Sequence, residues 1–378
     1  MSITEVGKVG IAVVGGGFAG RVHALAARQA GARIVGVTAS NPESSRAAAA
    51  VFGAERSFSN LTALIEHEDV DVVHVCTPNG THREIVEMAL SRGKHVVCEK
   101  PLATNAADSL HLSELAKGSG LRAAVAFAYR YHPMARRART MVHEGALGAL
   151  HLLHGSYLQD WLLAPTAANW RTLAAVGGPS RAFADIGSHW CDLAEWISGC
   201  RITDLTALTS TVYDKRPSPF TDGSRPSTPS GDFVPVDTED IACLLFRATG
   251  GVVGTLTVSQ VSAGRKNRLW LQADGGDSSV AFDQENPEWL WIGTRQLNEL
   301  VPRDGSDEAG AAFGASALPP GHGRGFVESF TDLFGEVYRS IGSHDPVAYP
   351  TFDDGLRSTR ITEAVLRSAS TKDWVSVE

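Results

Sequence analysis

The first third of the chain alternates short apolar runs with stretches of helical character. Residues 8–14 alternate and then run apolar, as a half-buried strand does, and residues 18–30 have helical character up to Gly31. The rhythm continues with strands at 33–38, 70–76, 95–98 and 123–128 and with helices at 42–52, 83–91 and 104–117. Strands that alternate with helices predict a parallel sheet covered on both faces.

The pattern changes near Tyr129. A basic helix at 134–144 leads into a series of strand candidates, and short glycine-containing turns at 248–251 and 273–276 favour antiparallel pairing among them. The strand candidates lie at 150–159, 202–213, 241–246, 252–261, 268–273, 279–282 and 289–292, and further helices are predicted at 182–198, 326–341 and 354–370. This order of elements is typical of an α+β domain.

We therefore predict two domains, α/β and then α+β, as 378 residues suggest at roughly 100–200 residues per domain. Residues 1–125 form a Rossmann domain with a parallel sheet. Residues 126–378 carry an open, mostly antiparallel sheet and a terminal helix that can pack back on the first domain. Residues 214–239 and 302–325, rich in small and turn-forming residues, are predicted to be surface loops. Because antiparallel sheets often leave one face to be covered, we expect a homodimer or homotetramer.

Charge and cysteine usage exclude several classes of protein. Lysine plus arginine number 34 and aspartate plus glutamate 42, giving a net charge of −8, which argues against nucleic acid or a membrane surface as partner. Five scattered cysteines without a CxxC pair argue against a disulfide framework. The first 20 residues hold no apolar run long enough for a signal peptide or membrane helix. We expect a cytoplasmic protein.

A glycine-rich turn follows the first predicted strand and opens the first helix. It reads Gly15-Gly16-Gly17-Phe18-Ala19-Gly20, a G-x-G-x-x-G pattern. Such glycines permit a tight turn and the close approach of a pyrophosphate, whose charge lies at the helix N-terminus. The position predicts dinucleotide binding by Gly15, Gly17, Phe18, Ala19 and Gly20; the alternative is a turn that serves packing alone.

The end of the second strand bears on the choice of nucleotide. Rossmann domains that take NAD place an acidic residue near this point to hold the ribose 2′-hydroxyl. Here residues 38–42 read Thr-Ala-Ser-Asn-Pro and hold no carboxylate. Ser40 could tolerate a 2′-phosphate and Arg46 lies nearby, which favours NADP, whereas Glu43 could approach the ribose of NAD. The cofactor is thus predicted to be NADP or NAD.

Two further loops follow strands of the predicted sheet, where ligands bind in such folds. The first carries Thr77, Pro78 and Asn79 and leads into a helix that contains His82. The second carries Glu99 and Lys100, and Pro101 disfavours a helical Lys100. Lys100 could donate to a substrate oxygen beside a nicotinamide; alternatively it is a surface lysine paired with Glu99.

The segment Asp185-Ile186-Gly187-Ser188-His189-Trp190-Cys191-Asp192 holds a histidine between two carboxylates. Spacings of four and seven residues would place Asp185, His189 and Asp192 on one helix face. Histidine is the usual proton acceptor near neutral pH, and the carboxylates could orient it or bind hydroxyls. A structural histidine is the alternative. A third metal ligand is not evident, so we predict no metal site.

These motifs together resemble the glucose–fructose oxidoreductase/inositol dehydrogenase/rhizopine catabolism (Gfo/Idh/MocA) family. The resemblance rests on V-V-G-G-G-F-A-G, C-T-P-N-G-T-H, V-C-E-K-P-L, F-A-Y-R-Y-H-P and D-I-G-S-H-W-C-D, which occur in the family's order. It implies a Rossmann domain plus an open antiparallel α+β domain, and hydride transfer between a nicotinamide and a carbohydrate or cyclitol carbon. It also implies that Lys100, Asp185 and His189 form the catalytic group.

The resemblance extends to a substrate site. Residues 157–161 and 169–171 are similar to a pyranoside dehydrogenase subgroup of the family, which implies that Gln159, Trp161 and Arg171 line the site with Arg130, Lys100, Asp185 and His189. A tryptophan offers an apolar face to sugar C–H groups while polar neighbours bind hydroxyls. The chain departs from the family's pattern at Ala128, where asparagine is frequent, and in lacking the acidic residue near Ala39.

The leading hypothesis is an NAD(P)-dependent sugar or cyclitol dehydrogenase, or a ketosugar reductase in the reverse direction. In it, the Lys100 amine and the His189 ring reach a shared cavity beside Gly15 and Pro78. Two alternatives are an NAD-dependent glycosidase that oxidises its substrate transiently and a non-catalytic protein that senses nucleotide or sugar.

Overall fold

The computed structural model describes residues 9–218, 233–303, 322–343 and 345–378. These residues form two compact units. The first takes in the chain up to Ala128 together with Phe326–Arg357, and the second takes in Tyr129–Gly325 and Ser358–Glu378. Among the described residues, no helix combines the length and apolar character needed to cross a membrane.

The first unit is built on a parallel sheet of six strands in the order β3-β2-β1-β4-β5-β6. The strands are β1 (Gly10–Val14), β2 (Arg33–Thr38), β3 (Arg56–Ser57), β4 (Val72–Val75), β5 (His95–Cys98) and β6 (Ala123–Val125). All residues of β1 and β4 are buried, as expected for a sheet covered on both faces. The predicted Rossmann fold is therefore confirmed, with the strand order of a dinucleotide-binding domain.

Five helices connect the strands of this unit, and local chemistry explains both ends of the second. They are α1 (Phe18–Gln29), α2 (Pro42–Phe52), α3 (Leu61–Ile65), α4 (His82–Ser91) and α5 (Ala106–Ser119). The Asn41 side chain accepts from the Ser44 amide at the start of α2, and Gly53 ends that helix in the left-handed conformation.

A helix from the end of the chain completes the first unit. α9 (Phe326–Ser340) places Tyr338 against His74 of β4 and Thr331 against Gln29 of α1, both within hydrogen-bond distance. The division of the chain thus differs from the contiguous boundary at 125/126, because residues 326–357 bury their aromatic side chains within the Rossmann unit.

The second unit contains a sheet of nine strands in the order β16-β15-β14-β13-β7-β12-β11-β8-β17. All neighbouring pairs are antiparallel except β7 with β12. The strands are β7 (Leu150–Leu158), β8 (Ile202–Ser210), β11 (Ile241–Ala248), β12 (Val253–Ser259), β13 (Arg268–Gly275), β14 (Ser278–Asp283), β15 (Trp289–Thr294), β16 (Asn298–Pro302) and β17 (Val375–Ser376). The predicted open, mostly antiparallel sheet is confirmed.

Two helices of this unit, Pro133–His143 and Ser188–Ser198, pack against the sheet. The helices of the unit are α6 (Pro133–His143), α7 (Ala174–Gly177) and α8 (Ser188–Ser198), and α10 (Phe352–Thr371) begins among the residues of the first unit. The fully buried Trp190 of α8 donates its indole N–H to the carbonyl of Trp270 on β13, at 2.9 Å. This bond fixes α8 against the sheet.

The predicted loop at 214–239 contains regular structure. Within 214–239 the chain forms a two-stranded antiparallel pair of β9 (Lys215–Pro217) and β10 (Phe233–Pro235), which the abundance of proline and serine concealed. Residues 219–232 and 304–321 lie outside the described residues. The polar edge strand β16 was also missed, since its side chains are mostly exposed.

Candidate functional site

The turn after β1 requires glycine at two positions. Gly15 has a φ of +119°, and a Cβ there would lie 2.5 Å from the carbonyl oxygen of Cys76. A Cβ at Gly20 would collide with the carbonyl oxygen of Gly15. These glycines therefore let α1 start directly behind the strand, as the helix–sheet packing of a Rossmann domain demands.

Gly17 has a different role. Its immediate neighbours along the chain aside, no atom of the described residues lies within 4 Å of the place where its Cβ would be, so packing does not require glycine here. Gly17 caps α1 without a side-chain hydrogen bond, and the following Phe18 is 76% exposed. The first amides of α1 thus face open space that a pyrophosphate could fill, which fits the predicted nucleotide site.

The end of β2 presents small and polar groups. The Ala39 amide donates to the Ser45 hydroxyl at 2.9 Å, which shapes the turn into α2, and Ser40 is exposed. Glu43 and Arg46, in the first two turns of α2, are exposed as well. Both a carboxylate and a guanidinium are therefore available at the surface where sequence reasoning placed the ribose.

His82 binds the two loops that follow β4 and β5 to each other. Its Nδ1 lies 2.9 Å from the carbonyl oxygen of Pro101 and its Nε2 lies 2.9 Å from that of Thr77. The ring is fully buried, and this burial lowers the pKa of His82 although the two carbonyls oppose the shift. The buried ring positions the loops that carry Thr77 and Lys100, and a contact between His82 and a bound cofactor stays a prediction.

The other predicted residues of these loops remain accessible. Thr77, Pro78 and Asn79 are half-buried, and so are Glu99 and Lys100. The Glu99 carboxylate accepts from the Lys100 amide at 3.1 Å and lies 3.1 Å from Nε2 of His23, a residue absent from the sequence predictions. The backbone of Lys100 is thus held by the side chain that precedes it.

In the second unit, Asp185 lies in a π-helical turn, Phe183–Gly187, that runs into α8. Arg171 Nε donates to one of its carboxylate oxygens at 3.3 Å, and Gln260 Nε2 donates to the other at 2.9 Å. Isolated π-turns are frequent at functional sites because they redirect side chains. The wide turn also means that a four-residue spacing no longer guarantees a shared helix face.

His189 and Asp192 follow on α8 and have separate surroundings. The His189 ring is 8% exposed and stands edge-on to Tyr129, with 5.0 Å between ring centroids. Asp192 forms a two-point ion pair with Arg130. Arg130, predicted to bind substrate, is largely buried by this pairing. The two carboxylates therefore have different partners: Asp192 accepts from Arg130, and Asp185 accepts from Arg171.

A polar network adjoins His189. The Tyr129 and Tyr157 hydroxyls are 2.6 Å apart, and Asn267 Oδ1 accepts from both the Tyr157 hydroxyl and Gln159 Nε2. Trp161 donates its indole N–H to Gln159 Oε1 at 2.7 Å. Burial, foremost, raises the pKa of Tyr157 well above its ordinary value, so this hydroxyl stays protonated. The predicted Gln159 and Trp161 thus lie in one network with the aromatic neighbours of His189.

Sequence reasoning missed Gln260, Asn267, Tyr129 and Tyr157 as parts of the site. Gln260 follows β12 and Gln159 follows β7. Because β7 and β12 are parallel neighbours, both glutamines lie at the same edge of the sheet. To predict that Gln260 belongs to the site, one would need to know that β7 pairs with β12, and spacing along the chain does not reveal this pairing. Among the described residues no group of three or more His, Cys, Asp or Glu side chains is arranged to hold a metal ion.

Comparison with known proteins identifies the family of both parts of the chain. Residues 9–127 match the oxidoreductase family with an NAD-binding Rossmann fold, and residues 135–279 match the Gfo/Idh/MocA C-terminal domain. The chain is 30% identical to levoglucosan dehydrogenase of Pseudarthrobacter phenanthrenivorans, covering 98% of both chains. It is 24% identical to inositol 2-dehydrogenase of Rhizobium meliloti, covering 97% of this chain and 98% of the relative.

A solved structure gives the same result. A levoglucosan dehydrogenase in complex with NADH and L-sorbose superposes with a TM-score of 0.90 at 29% identity, covering 98% of this chain and 99% of that one. The resemblance inferred from the sequence motifs is confirmed.

Replacing either of two glycines of the turn, Gly17 or Gly20, with serine tests their different roles. Gly20→Ser should destabilise the first unit by about 1–3 kcal/mol, the usual effect of forcing atoms into a packed site. Gly17→Ser should leave the free energy of unfolding nearly unchanged, because its side chain enters open space, but should weaken nucleotide binding. Urea unfolding and NADH titration of both variants measure this. Equal destabilisation by the two substitutions would contradict the assignment.

Proposed function

This chain belongs to the Gfo/Idh/MocA family of oxidoreductases, and we propose that it is an NAD(P)-dependent dehydrogenase of a sugar, glycoside or cyclitol. The reverse reaction would make it a ketosugar reductase. The observation that carries the proposal is the open helix start at Gly17, in a chain that aligns over 98% of its length with a sugar dehydrogenase. Sugar and cyclitol dehydrogenases recur among the relatives.

The residues of the first unit fit a dinucleotide. The turn at Gly15, Gly17 and Gly20 would hold the pyrophosphate at the start of α1, and Thr77, Pro78 and Asn79 would lie along the remaining length. Bound nicotinamide would supply the hydride acceptor. Lys100, fixed through Glu99 and the His82 contacts, would present its amine beside it.

The chain's own residues would handle the proton and the charge on oxygen. Lys100 would donate a hydrogen bond to the hydroxyl oxygen and stabilise the negative charge that develops there. His189 would accept the hydroxyl proton at a ring nitrogen. Asp185, held by Arg171 and Gln260, would bind a neighbouring hydroxyl or orient His189. The mechanism requires Lys100 and His189 to reach one substrate oxygen.

The second unit offers groups that suit a sugar ring. The Trp161 indole is 37% exposed while its N–H is engaged by Gln159, so an apolar face remains available for C–H groups. Arg171, whose guanidinium lies 4.3 Å from the centroid of the Trp170 ring, is a further donor for hydroxyls. A few convergent polar groups beside an aromatic face are typical of small-molecule sites.

A panel of sugars, glycosides and cyclitols, assayed with NAD and NADP for absorbance of the reduced nicotinamide, tests the activity. His189→Ala should lower kcat by roughly 10²–10⁴-fold, the usual contribution of a positioned general base. Lys100→Ala should also abolish most turnover while nucleotide binding persists. His151→Ala and Lys117→Ala, which change exposed residues of the same types, are the matched controls and should behave as the wild type.

The panel also separates the alternatives. Release of an aglycone without net cofactor reduction would identify a glycosidase that oxidises transiently. Nucleotide binding without turnover of any compound would favour a sensor. Full activity of either the Lys100 or the His189 variant would contradict the proposed chemistry.

We propose that NADP binds at least as well as NAD. The end of β2 lacks a carboxylate, and Ser40 and Arg46 are exposed there. Ala39→Asp should shift the ratio of dissociation constants toward NAD, because a carboxylate accepts from the 2′-hydroxyl and repels a 2′-phosphate. Fluorescence titration with NADH and NADPH measures the ratio. A strong wild-type preference for NADH, lost in Glu43→Gln, would show that Glu43 binds the ribose instead.

We also propose that the outer face of the nine-stranded sheet pairs with a second copy of the chain. Alternate residues of β11 are buried and exposed, and the exposed face carries Leu208, Leu245 and Val253, each at least half exposed. Several exposed apolar side chains on one face of a sheet are typical of a subunit interface. Leu245→Asp should reduce the sedimentation coefficient to that of a monomer, whereas Leu297→Asp, equally exposed in a turn, should not. A monomeric wild type at micromolar concentration would contradict this proposal.

A further inference from the structure

Two fully buried histidines lie behind the candidate nucleotide site and belong to no predicted motif. His23 on α1 and His74 on β4 bring their Nδ1 atoms within 3.0 Å of each other. His23 Nε2 lies 3.1 Å from the Glu99 carboxylate, and His74 Nε2 lies 2.9 Å from the Tyr338 hydroxyl. The four side chains therefore form one continuous hydrogen-bond chain from α9 to the loop that carries Lys100.

The surroundings of this chain are apolar. Phe334 lies against both rings, with centroids 4.8 Å from His23 and 4.7 Å from His74, and Phe330 lies 5.5 Å from His23. Burial, aided by the neighbouring His23, lowers the pKa of His74 well below its ordinary value. His74 is therefore neutral and carries a single ring proton at neutral pH.

The position of that proton follows from the two ends of the chain. An ionised Glu99 only accepts, so His23 Nε2 must carry a proton. If His23 is neutral, its Nδ1 accepts from His74 Nδ1–H, and His74 Nε2 accepts from the Tyr338 hydroxyl. Every polar atom in the chain is then satisfied.

If the hydrogen bonds ran in the opposite direction, from His23 toward Tyr338, the Tyr338 hydroxyl proton would be unsatisfied. This direction would need a protonated His23 that donates to His74 Nδ1, and His74 Nε2–H would then donate to Tyr338. The buried Tyr338 hydroxyl has His74 as its hydrogen-bond partner among the described residues, so its own proton would have no acceptor. Leaving a buried donor unsatisfied is costly, which favours the first direction.

We infer that His23 is a positioning residue for Lys100, acting through a buried Tyr338–His74–His23 chain that fixes the Glu99 carboxylate. One Glu99 oxygen faces His23 and the other accepts from the Lys100 amide at 3.1 Å, so the carboxylate cannot rotate without breaking both contacts. Tyr338 is fully buried, so the described chain ends inside the core and orients the loop instead of conducting protons. The inference rests on the proposed role of Lys100.

The first arm of the test is ¹⁵N NMR of the histidine side chains in the full-length protein at pH 7.5. His74 should be the Nδ1–H tautomer and His23 the Nε2–H tautomer, assigned with His74→Gln and His23→Gln. A His74 that carries its proton on Nε2 would overturn the direction of the chain, whatever reaction the protein catalyses.

The second arm compares two substitutions at His23. The amide of His23→Gln can donate to Glu99 and accept from His74, whereas His23→Leu can do neither. After ¹³C-methylation of the lysines, the Lys100 signal, assigned with Lys100→Arg, should shift in His23→Leu and stay near its wild-type position in His23→Gln. If His23→Leu does not fold, His23→Asn, which is too short to span both partners, replaces it. An unmoved Lys100 signal would overturn the positioning role.

Kinetics complete the test and distinguish the inference from the proposed function. His23→Leu should lower kcat by up to about 10²-fold, the effect of displacing a catalytic group slightly, with an unchanged KM for the nucleotide. His23→Gln should restore most of kcat. A wild type that oxidises no sugar would refute the proposed function while leaving both NMR results valid. A kcat equally low in the Gln and Leu variants would refute the inference.

Discussion

One buried imidazole ring lies between the two loops on which the first unit's site depends. His82 contacts the carbonyl oxygens of Thr77 and Pro101, and these loops follow adjacent parallel strands of the sheet. The neutral ring carries one N–H, so it donates to one of these carbonyl oxygens and lies 2.9 Å from the other. The backbone of Lys100 is thus constrained by a buried polar contact of the neighbouring Pro101, and the His23–Glu99 contact adds a second constraint on the same loop.

The same principle organises the second unit. Asp185 and Asp192 are near each other along the chain but are engaged by different donors, Arg171 with Gln260 in one case and Arg130 in the other. The π-turn at Phe183–Gly187 separates their directions. A carboxylate held by two donors keeps its orientation, which a residue that binds hydroxyls or orients a histidine needs.

Sequence patterns predicted both sheets because the strands of this chain are buried or half-buried, and the periodicity of hydrophobic residues indicates such burial. The glycine turn and the Glu99-Lys100-Pro101 loop were also found, since backbone geometry dictates their residue types. Contacts that depend on the pairing of distant strands were not predicted. Gln260 meets Asp185 because β12 lies parallel to β7, and His74 meets Tyr338 because α9 returns to the first unit. The spacing of residues within a motif predicts neither the β7–β12 pairing nor the return of α9.

Isotope transfer tests the central claim most directly. The wild-type protein is given oxidised nucleotide and the sugar of the panel that reacts fastest, deuterated at its ring carbons, and the reduced nucleotide is analysed by NMR. The account predicts one deuterium at C4 of the nicotinamide for each oxidised sugar, on a single face of the ring. Reduced nucleotide without deuterium, or sugar conversion that leaves no reduced nucleotide, would contradict direct hydride transfer by this protein.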